Sequence, residues 1–319
     1  MSGSAGRKGP VRPGGRGEPV RGRPPLRTRP RVKRALPRHR HHSLARAVPG
    51  RRAPPLIGRH RFGENDEMGG SFGPIDYDAV AELYDLYARW NQDVPFFLEE
   101  TAKAGGPVLE LTAGTGRLSL PLARAGVSLT CVDVSAGMLA VLSRKLAAEG
   151  LGAEVVCADV CELALPARFP LAILPFQAFM EIVGEERQRR ALAAVRSCLL
   201  PGGRFVCTFH NAAVRRRQVD GALRIVGRFP APEGTLVVSG FEQGGDPVVR
   251  RTQLFEMYAP DGRLSWKRML PMEFELVEKD RFEAMAGGAG FRVLDLYGDY
   301  GRAPFDPGTS PVQIWVLGT

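Results

Sequence analysis

No apolar run in this 319-residue chain reaches the roughly 20 residues that a bilayer-crossing helix needs, so no helical membrane span is predicted. Cysteine is sparse: Cys131, Cys157, Cys161, Cys198 and Cys207 are odd in number, scattered and mostly inside apolar runs. That argues against a disulfide framework and for buried thiols in a reducing compartment, with a cytoplasmic location expected. The Cys157-x-x-x-Cys161 pair lacks the further cysteine an iron–sulfur site requires, because Ala164 stands there, and no metal is expected. Residues 1–67 are poor in aromatics and acids: they hold 18 Lys and Arg against four Asp and Glu, with ten Pro, ten Gly and four of the five histidines. Such a segment cannot bury enough apolar surface to offset its ordering entropy, and it is expected to be disordered. A nucleic-acid arm would interleave aromatics to stack on bases, which this segment does not do. A transit peptide would form an amphipathic helix, which prolines at 10, 13, 19, 24, 25, 30 and 37 forbid. Composition becomes ordinary at Met68, which is the expected native start.

From Met68 onward there are 252 residues with 26 basic and 30 acidic side chains. That length suits one α/β domain carrying an insertion, and its net acidity weighs against nucleic acid as partner. Residues 108–116 read Val-Leu-Glu-Leu-Thr-Ala-Gly-Thr-Gly, an apolar run ending in a glycine turn before a helix-patterned stretch. A strand buried in a parallel sheet is nearly continuous in Val and Leu, and the glycines let the backbone turn sharply beside a ligand. A second apolar run, 127–132, ends in Asp133, whose carboxylate can accept from both hydroxyls of a ribose. A dinucleotide fingerprint would put a third glycine where Ser119 stands, which disfavours a nicotinamide cofactor.

Glu110, four residues before Gly114, completes an acidic-x-x-x-Gly-x-Gly spacing, and here the chain resembles the class I S-adenosylmethionine-dependent methyltransferases. Thr112 stands where that family usually has its first glycine. Later segments extend the resemblance over roughly residues 75–318. Run 153–158 ends in Asp159-Val160, run 171–176 ends in Pro175-Phe176, and a helical stretch over 185–200 stops at Pro201-Gly202-Gly203. A fifth run at 204–209 and terminal runs at 292–297 and 312–317 follow. The resemblance implies a Rossmann-like, seven-stranded, mostly parallel sheet with an antiparallel last strand. It also implies S-adenosylmethionine as cofactor. On that reading Glu110, Thr112 and the backbone from Gly114 to Gly116 hold the methionine portion and Asp133 the ribose. Val134 and Met138 cover the adenine face, Asp159 and Val160 its edge, and Pro175 lines the transfer cleft. Plain alternatives stand beside these roles: Asp133 and Asp159 as helix caps, and Met138 as core.

The segment 77–85 resembles the tyrosine-bearing helix that closes over the cofactor in small-molecule methyltransferases, with Tyr84 as its contact. An amphipathic stripe of Val80, Leu83, Tyr84 and Tyr87 gives the same pattern without function. His210, the one histidine beyond the first 67 residues, ends the fifth run beside Asn211 on the ligand side of such a sheet. It is the candidate catalytic base, and Asn211, Phe176, Gln177 and Phe179 are candidate acceptor contacts. Between 212 and 272, alternating stretches separated by Pro and Gly turns predict a small antiparallel β insertion, which would build an acceptor pocket or a homodimer contact. Arg215-Arg216-Arg217 at its entrance reads as a solvated charge run or an anion contact. The expected function is methyl transfer to the nitrogen or oxygen of a small molecule. The rivals are a nucleic-acid methyltransferase, whose Asn/Asp-Pro-Pro-aromatic signature Leu174-Pro175-Phe176 lacks, and a methyltransferase-like binding protein without turnover.

Overall fold

A computed structural model describes residues 75–319. The disorder expected of residues 1–67 and the expected start at Met68 lie outside the described residues. A 3-10 turn, Tyr77–Val80, leads into helix α1 (Ala81–Tyr87) and then α2 (Val94–Ala104). The alternating part follows: β1 (Val108–Leu111), α3 (Ser119–Arg124), β2 (Leu129–Asp133), α4 (Ala136–Ala148), β3 (Glu154–Cys157) and β4 (Phe169–Leu174). Short α5 (Ala178–Glu181) and α6 (Glu185–Ser197) precede β5 (Leu199–His210), and α7 (Ala212–Arg216) opens the insertion. Four long strands come next, β6 (Arg224–Ala231), β7 (Gly234–Gly244), β8 (Val248–Tyr258) and β9 (Leu264–Glu275). The chain closes with α8 (Lys279–Gly288), β10 (Arg292–Tyr297) and β11 (Val312–Gly318).

Seven strands form one sheet in the order β10-β11-β5-β4-β1-β2-β3. Pairs β1–β2, β2–β3, β1–β4 and β4–β5 are parallel, and the last strand, β11, runs antiparallel to both β5 and β10. The expected Rossmann-like α/β class is therefore present. Alternation along the buried strands divides the core into two layers. Leu109 and Leu111 of β1 face a layer with Phe179, Phe209, Phe282 and Trp315, whereas Val108 faces Phe97, Leu122 and Leu142 on the other side. Connections run outward from β1 to β3 and then cross back to β4. The switch point lies between β1 and β4, where such sheets open a ligand crevice at their carboxyl ends.

The insertion is a separate four-stranded antiparallel meander, β6-β7-β8-β9. It is longer than its alternating pattern predicted, since β9 runs on to Glu275. Its buried face, with Leu236, Val238, Phe255, Met257 and Leu270, packs on Val80, Leu83, Leu86 and Tyr87 of the front segment. That segment in turn packs through Ala81, Tyr77 and Tyr84 on Met138 and Val141 of α4. The front segment is thus held between the second sheet and α4.

One boundary differs from expectation. The helix predicted over 185–200 ends at Ser197, because the Phe169 N–H donates to the Cys198 carbonyl (2.8 Å) and Leu199 already pairs with Phe169. Pro201-Gly202-Gly203 lies inside β5, where its pairing with β4 shifts register, and a Cβ on Gly203 would sit 2.8 Å from the Leu200 carbonyl oxygen. Among the described residues no helix is long and apolar enough to cross a membrane.

Candidate active site

The corner after β1 is built as its glycines suggest, though for two different reasons. Gly116 has φ +87°, and a Cβ there would meet Leu142 Cδ1 at 2.5 Å, so its glycine serves the packing of α4 under the loop. Gly114 has φ +57° with open space where a Cβ would be, and its N–H donates to Asp133 Oδ2 at 2.8 Å. Thr112 also takes a left-handed φ of 55°, a conformation costly for a β-branched residue. This explains why the related position is usually glycine; here the turn is made with threonine in place.

Asp133 ends β2 and ties two loops together, since its other oxygen accepts from the Ser135 N–H at 2.8 Å. Burial raises its carboxyl above the ordinary range, against the pull of the Ser135 and Gly114 N–H groups. Beside it lie two adjoining hollows of about 110 Å³ each, which share Tyr77, Thr112, Asp133, Val134 and Glu181 among their walls. Val134 is 57% exposed, an apolar surface that nothing in the described fold covers. Val160 and Asp159 close one hollow; Gly114, Met138 and Pro175 close the other. Asp159 also caps its own turn, accepting from the Cys161 N–H, and pairs with Arg187 at 3.0 Å. Burial opposes its charge, yet these donors hold its carboxyl below the ordinary range.

The front segment is fastened over these hollows by three acids. Asp78 accepts from the Gly137 N–H (2.7 Å) at the start of α4, and Glu82 pairs with Arg144. Asp85 accepts from the Thr115 hydroxyl (2.6 Å) and from Lys145 Nζ (2.7 Å). Each of these contacts is screened by solvent to some degree. Together they fix the register in which Tyr77 and Tyr84 face inward, their rings 6.1 Å apart edge to face.

A third hollow of about 310 Å³ opens beyond these tyrosines, towards the second sheet. Tyr77, Tyr84, Tyr87, Trp90, Phe176 and Phe274 line it, together with His210, Gln253 and the arginines Arg89, Arg215 and Arg251. Phe176 and Gln177 both have positive φ, 57° and 72°. The turn is held by Thr208, whose hydroxyl and carbonyl accept from their two N–H groups. Strain of this kind persists only where surrounding structure enforces it. Here it presents the Phe176 ring to Arg117, whose guanidinium carbon lies 4.5 Å from the ring centre. Glu181 lines all three hollows, and its carboxylate accepts from the Tyr77 hydroxyl at 2.9 Å. Burial pushes the Glu181 carboxyl up to about 7, with Tyr77 pulling it down and Asp133 adding to the rise. Burial and the Arg215 charge push the His210 imidazole down to about 4.

Most of the residues singled out from sequence converge here: Tyr84, Thr112, Gly114, Asp133, Val134, Met138, Asp159, Val160, Pro175, Phe176 and His210 all line these hollows. Phe179 does not form an acceptor wall. It is fully buried against Phe209 and Phe282, because the turn at Phe176–Gln177 rotates α5 so that this side chain faces the core. Asn211 is no acceptor contact either. It caps α7 through the Ala213 N–H, and its amide donates to the Pro307 and Ser310 carbonyls, which clamps the loop before β11. The Glu110 carboxylate lines none of the hollows and instead sits under the glycine loop beside Cys131. Sequence reasoning missed Tyr77, Arg117 and Glu181. A signal for Glu181 was present, for it is the sole charged residue between Arg168 and Glu185.

Comparison with known proteins agrees with this geometry. Residues 108–203 match the family model described as a methyltransferase domain. Over 231 residues the chain is 26% identical to the glycine/sarcosine N-methyltransferase of Halorhodospira halochloris, covering 70% of this chain and 80% of that protein. It is 32% identical over 153 residues to the demethylmenaquinone methyltransferase of Thermobifida fusca (strain YX), covering 44% of this chain and 61% of that one. Among solved structures, the CcbJ methyltransferase from Streptomyces caelestis is 25% identical with a TM-score of 0.64, over 77% of this chain and 98% of that one. With the glycine corner, the sheet order and these matches in agreement, residues 108–203 are a methyltransferase domain, and over most of its length the chain is similar to known methyltransferases.

Proposed function

We propose that this methyltransferase acts on the nitrogen of a small-molecule amine held in the hollow between the front segment, the turn after β4 and the second sheet. The observation that carries this reading is the wall of that hollow. Six aromatic rings, the Glu181 carboxylate and the side chains of Arg89, Arg215 and Arg251 line a space of about 310 Å³, a size suited to a small molecule, and Arg215 and Arg251 are paired with Glu242. Ring faces and a carboxylate both favour a cation, which an amine acceptor presents and a phenol or carboxylic acid does not. The match to a relative described as an N-methyltransferase supports the same choice. When bound, S-adenosylmethionine supplies a methyl on a sulfonium, already activated as electrophile, so the protein has chiefly to align and desolvate the acceptor. The residues that would hold it are those around the two smaller hollows: Asp133 for the ribose hydroxyls, Val134 and Met138 for the adenine face, and Asp159 and Val160 for its edge. The uncovered apolar surface of Val134 and the Cβ-free approach at Gly114 fit such a group.

Asp133→Ala is expected to weaken S-adenosylmethionine binding by about 1.5–3 kcal/mol, the range of hydrogen bonds to a charged group. Isothermal titration reads this as a rise in Kd of roughly 10- to 150-fold. The variant also loses the tie between Gly114 and Ser135, so its melting temperature falls as well. A folded variant with unchanged affinity would reduce Asp133 to a structural tie.

The amine reading is tested by incubating the enzyme with methyl-labelled cofactor and panels of amines, phenols and carboxylates, with products located by mass spectrometry. Label on oxygen alone overturns it. With an amine in hand, His210→Ala should keep kcat within about threefold. An imidazole held near 4 is a weak base at neutral pH, and general-base removal is otherwise felt as about 10²-fold or more. A hundredfold loss with unchanged cofactor binding would restore His210 as the base.

A further inference from the structure

An alkyl amine arrives at neutral pH as an ammonium ion, which has no lone pair to form the new bond. Something in the cleft must take a proton. Resting on the amine reading, we propose that Glu181, oriented by Tyr77, is the residue that seats the acceptor's ammonium group and removes its proton. In that step one N–H bond breaks, its electron pair stays on nitrogen as the lone pair that methyl transfer requires, and the proton goes to a Glu181 carboxylate oxygen before passing to water.

Three observations converge on this carboxylate. It lies at the junction of the cofactor hollows and the acceptor hollow, lining all three, which is where the transferred group and its acceptor must meet. Its position is defined, since the Tyr77 hydroxyl donates to it at 2.9 Å across 104 residues of sequence. Among the described residues no cation is bonded to it, unlike Asp159, which Arg187 pairs, and Asp85, which Lys145 pairs. Tyr77 faces it from the 3-10 turn, Asp133 from the end of β2, and Tyr84 and Tyr87 from α1. His210 at the end of β5, Arg89 after α1, and Arg215 and Arg251, both paired with Glu242, also line the acceptor hollow, and Arg187 of α6 lines the cofactor side. A carboxyl held near 7 is matched to accepting a proton at neutral pH, whereas the other carboxylates lining the hollows are engaged, Asp133 by two backbone N–H groups and Asp159 by Arg187 and the Cys161 N–H.

The pH dependence has a definite sign. Glu181 works as the anion, so for a primary alkyl amine kcat/KM of the wild type should rise with pH through about 7. Glu181→Gln should lower kcat/KM at pH 7 by roughly 10²-fold and abolish that limb. Glu181→Asp should keep the limb with part of the rate. Tyr77→Phe removes the donor that favours the charged carboxylate, so its limb should move to higher pH. A readout independent of turnover is binding of the amine to enzyme saturated with S-adenosylhomocysteine, expected to weaken about tenfold in Glu181→Gln while cofactor affinity changes by only a few fold. The inference is overturned if Glu181→Gln retains rate and limb. It is equally overturned if that variant loses cofactor affinity alone, which would place the carboxylate on the cofactor side. Should Glu181→Gln melt out of the native state, the limb positions in Glu181→Asp and Tyr77→Phe decide the matter. A wild type that methylates no amine defeats the amine reading itself, before any variant is made.

Discussion

Arg117→Ala is expected to destabilise the protein by about 3–5 kcal/mol, the cost of leaving a buried charge without its partner. Asp93 at the start of α2 is fully buried, and both its oxygens accept from the Arg117 guanidinium, at 2.6 and 2.7 Å. A third bond, at 3.0 Å, goes to the Trp90 carbonyl. Burial works against the Arg117 charge, but Asp93 holds the guanidinium above its ordinary range. Without it the Asp93 carboxylate has no water to turn to, and the melting temperature should fall by on the order of 10 °C. The same guanidinium lies over Phe176 and Trp90, so the acceptor wall should loosen and KM for the acceptor rise. The double variant Arg117→Met with Asp93→Leu removes both charges and should recover most of the stability, as buried pairs replaced by apolar residues often do. A single-variant cost below about 1 kcal/mol in urea unfolding would mean that water reaches Asp93.

The second large effect is a pH dependence centred under the glycine loop. Burial pushes the Glu110 carboxyl up from its ordinary 4.5 to about 7, with Ser119, Arg117 and Cys131 pulling the other way. A raised carboxyl means that the folded state favours the neutral form. The stability it contributes is therefore complete below about 4.5 and is lost as pH rises through about 7. By linkage that loss is on the order of 3 kcal/mol between pH 5 and pH 8. Glu110→Gln keeps the shape and removes the titration, so it should match the wild type at pH 5 and exceed it at pH 8 by up to that amount. Glu181 is shifted in the same direction and adds its own slope, so the variant must be compared with the wild type at each pH. Equal urea midpoints for the two proteins at pH 8 would show that Glu110 is already neutralised by its surroundings. A carboxyl in this position acts on the cofactor loop from beneath, which is why its acidic identity was readable while its direct contact role was not.

Much of the molecule was legible because its signals are local. Buried parallel strands must be apolar along their length, and the runs ending at Leu111, Asp133 and Leu174 register this directly. The corner needs left-handed backbone, and Gly114 and Gly116 announce it; Thr112 shows that the same conformation can be forced on another residue. The acids singled out at strand ends, Asp133 and Asp159, both line the crevice while also serving as caps. The insertion's alternation marked antiparallel strands between 212 and 272, but not that β9 extends to Glu275 or that the sheet's face would grip the front segment.

Orientation within the loops was not legible. A residue in a helical turn advances by about 100° per position, so the two left-handed residues Phe176 and Gln177 decide which of the next side chains reach the cleft. They send Phe179 into the core and Glu181 to the junction, an outcome no count of apolar residues predicts. Asn211 reads as a site residue from its strand-end position, yet its amide is spent on carbonyls about a hundred residues away. Sequence alone therefore determined the fold class and the glycine corner, because strand burial and backbone handedness are written in neighbouring residues. Tertiary structure alone decided which carboxylate stands where the three hollows meet, because the pairing of Glu181 with Tyr77 and of Arg117 with Asp93 depends on segments that become neighbours only when the sheet is assembled.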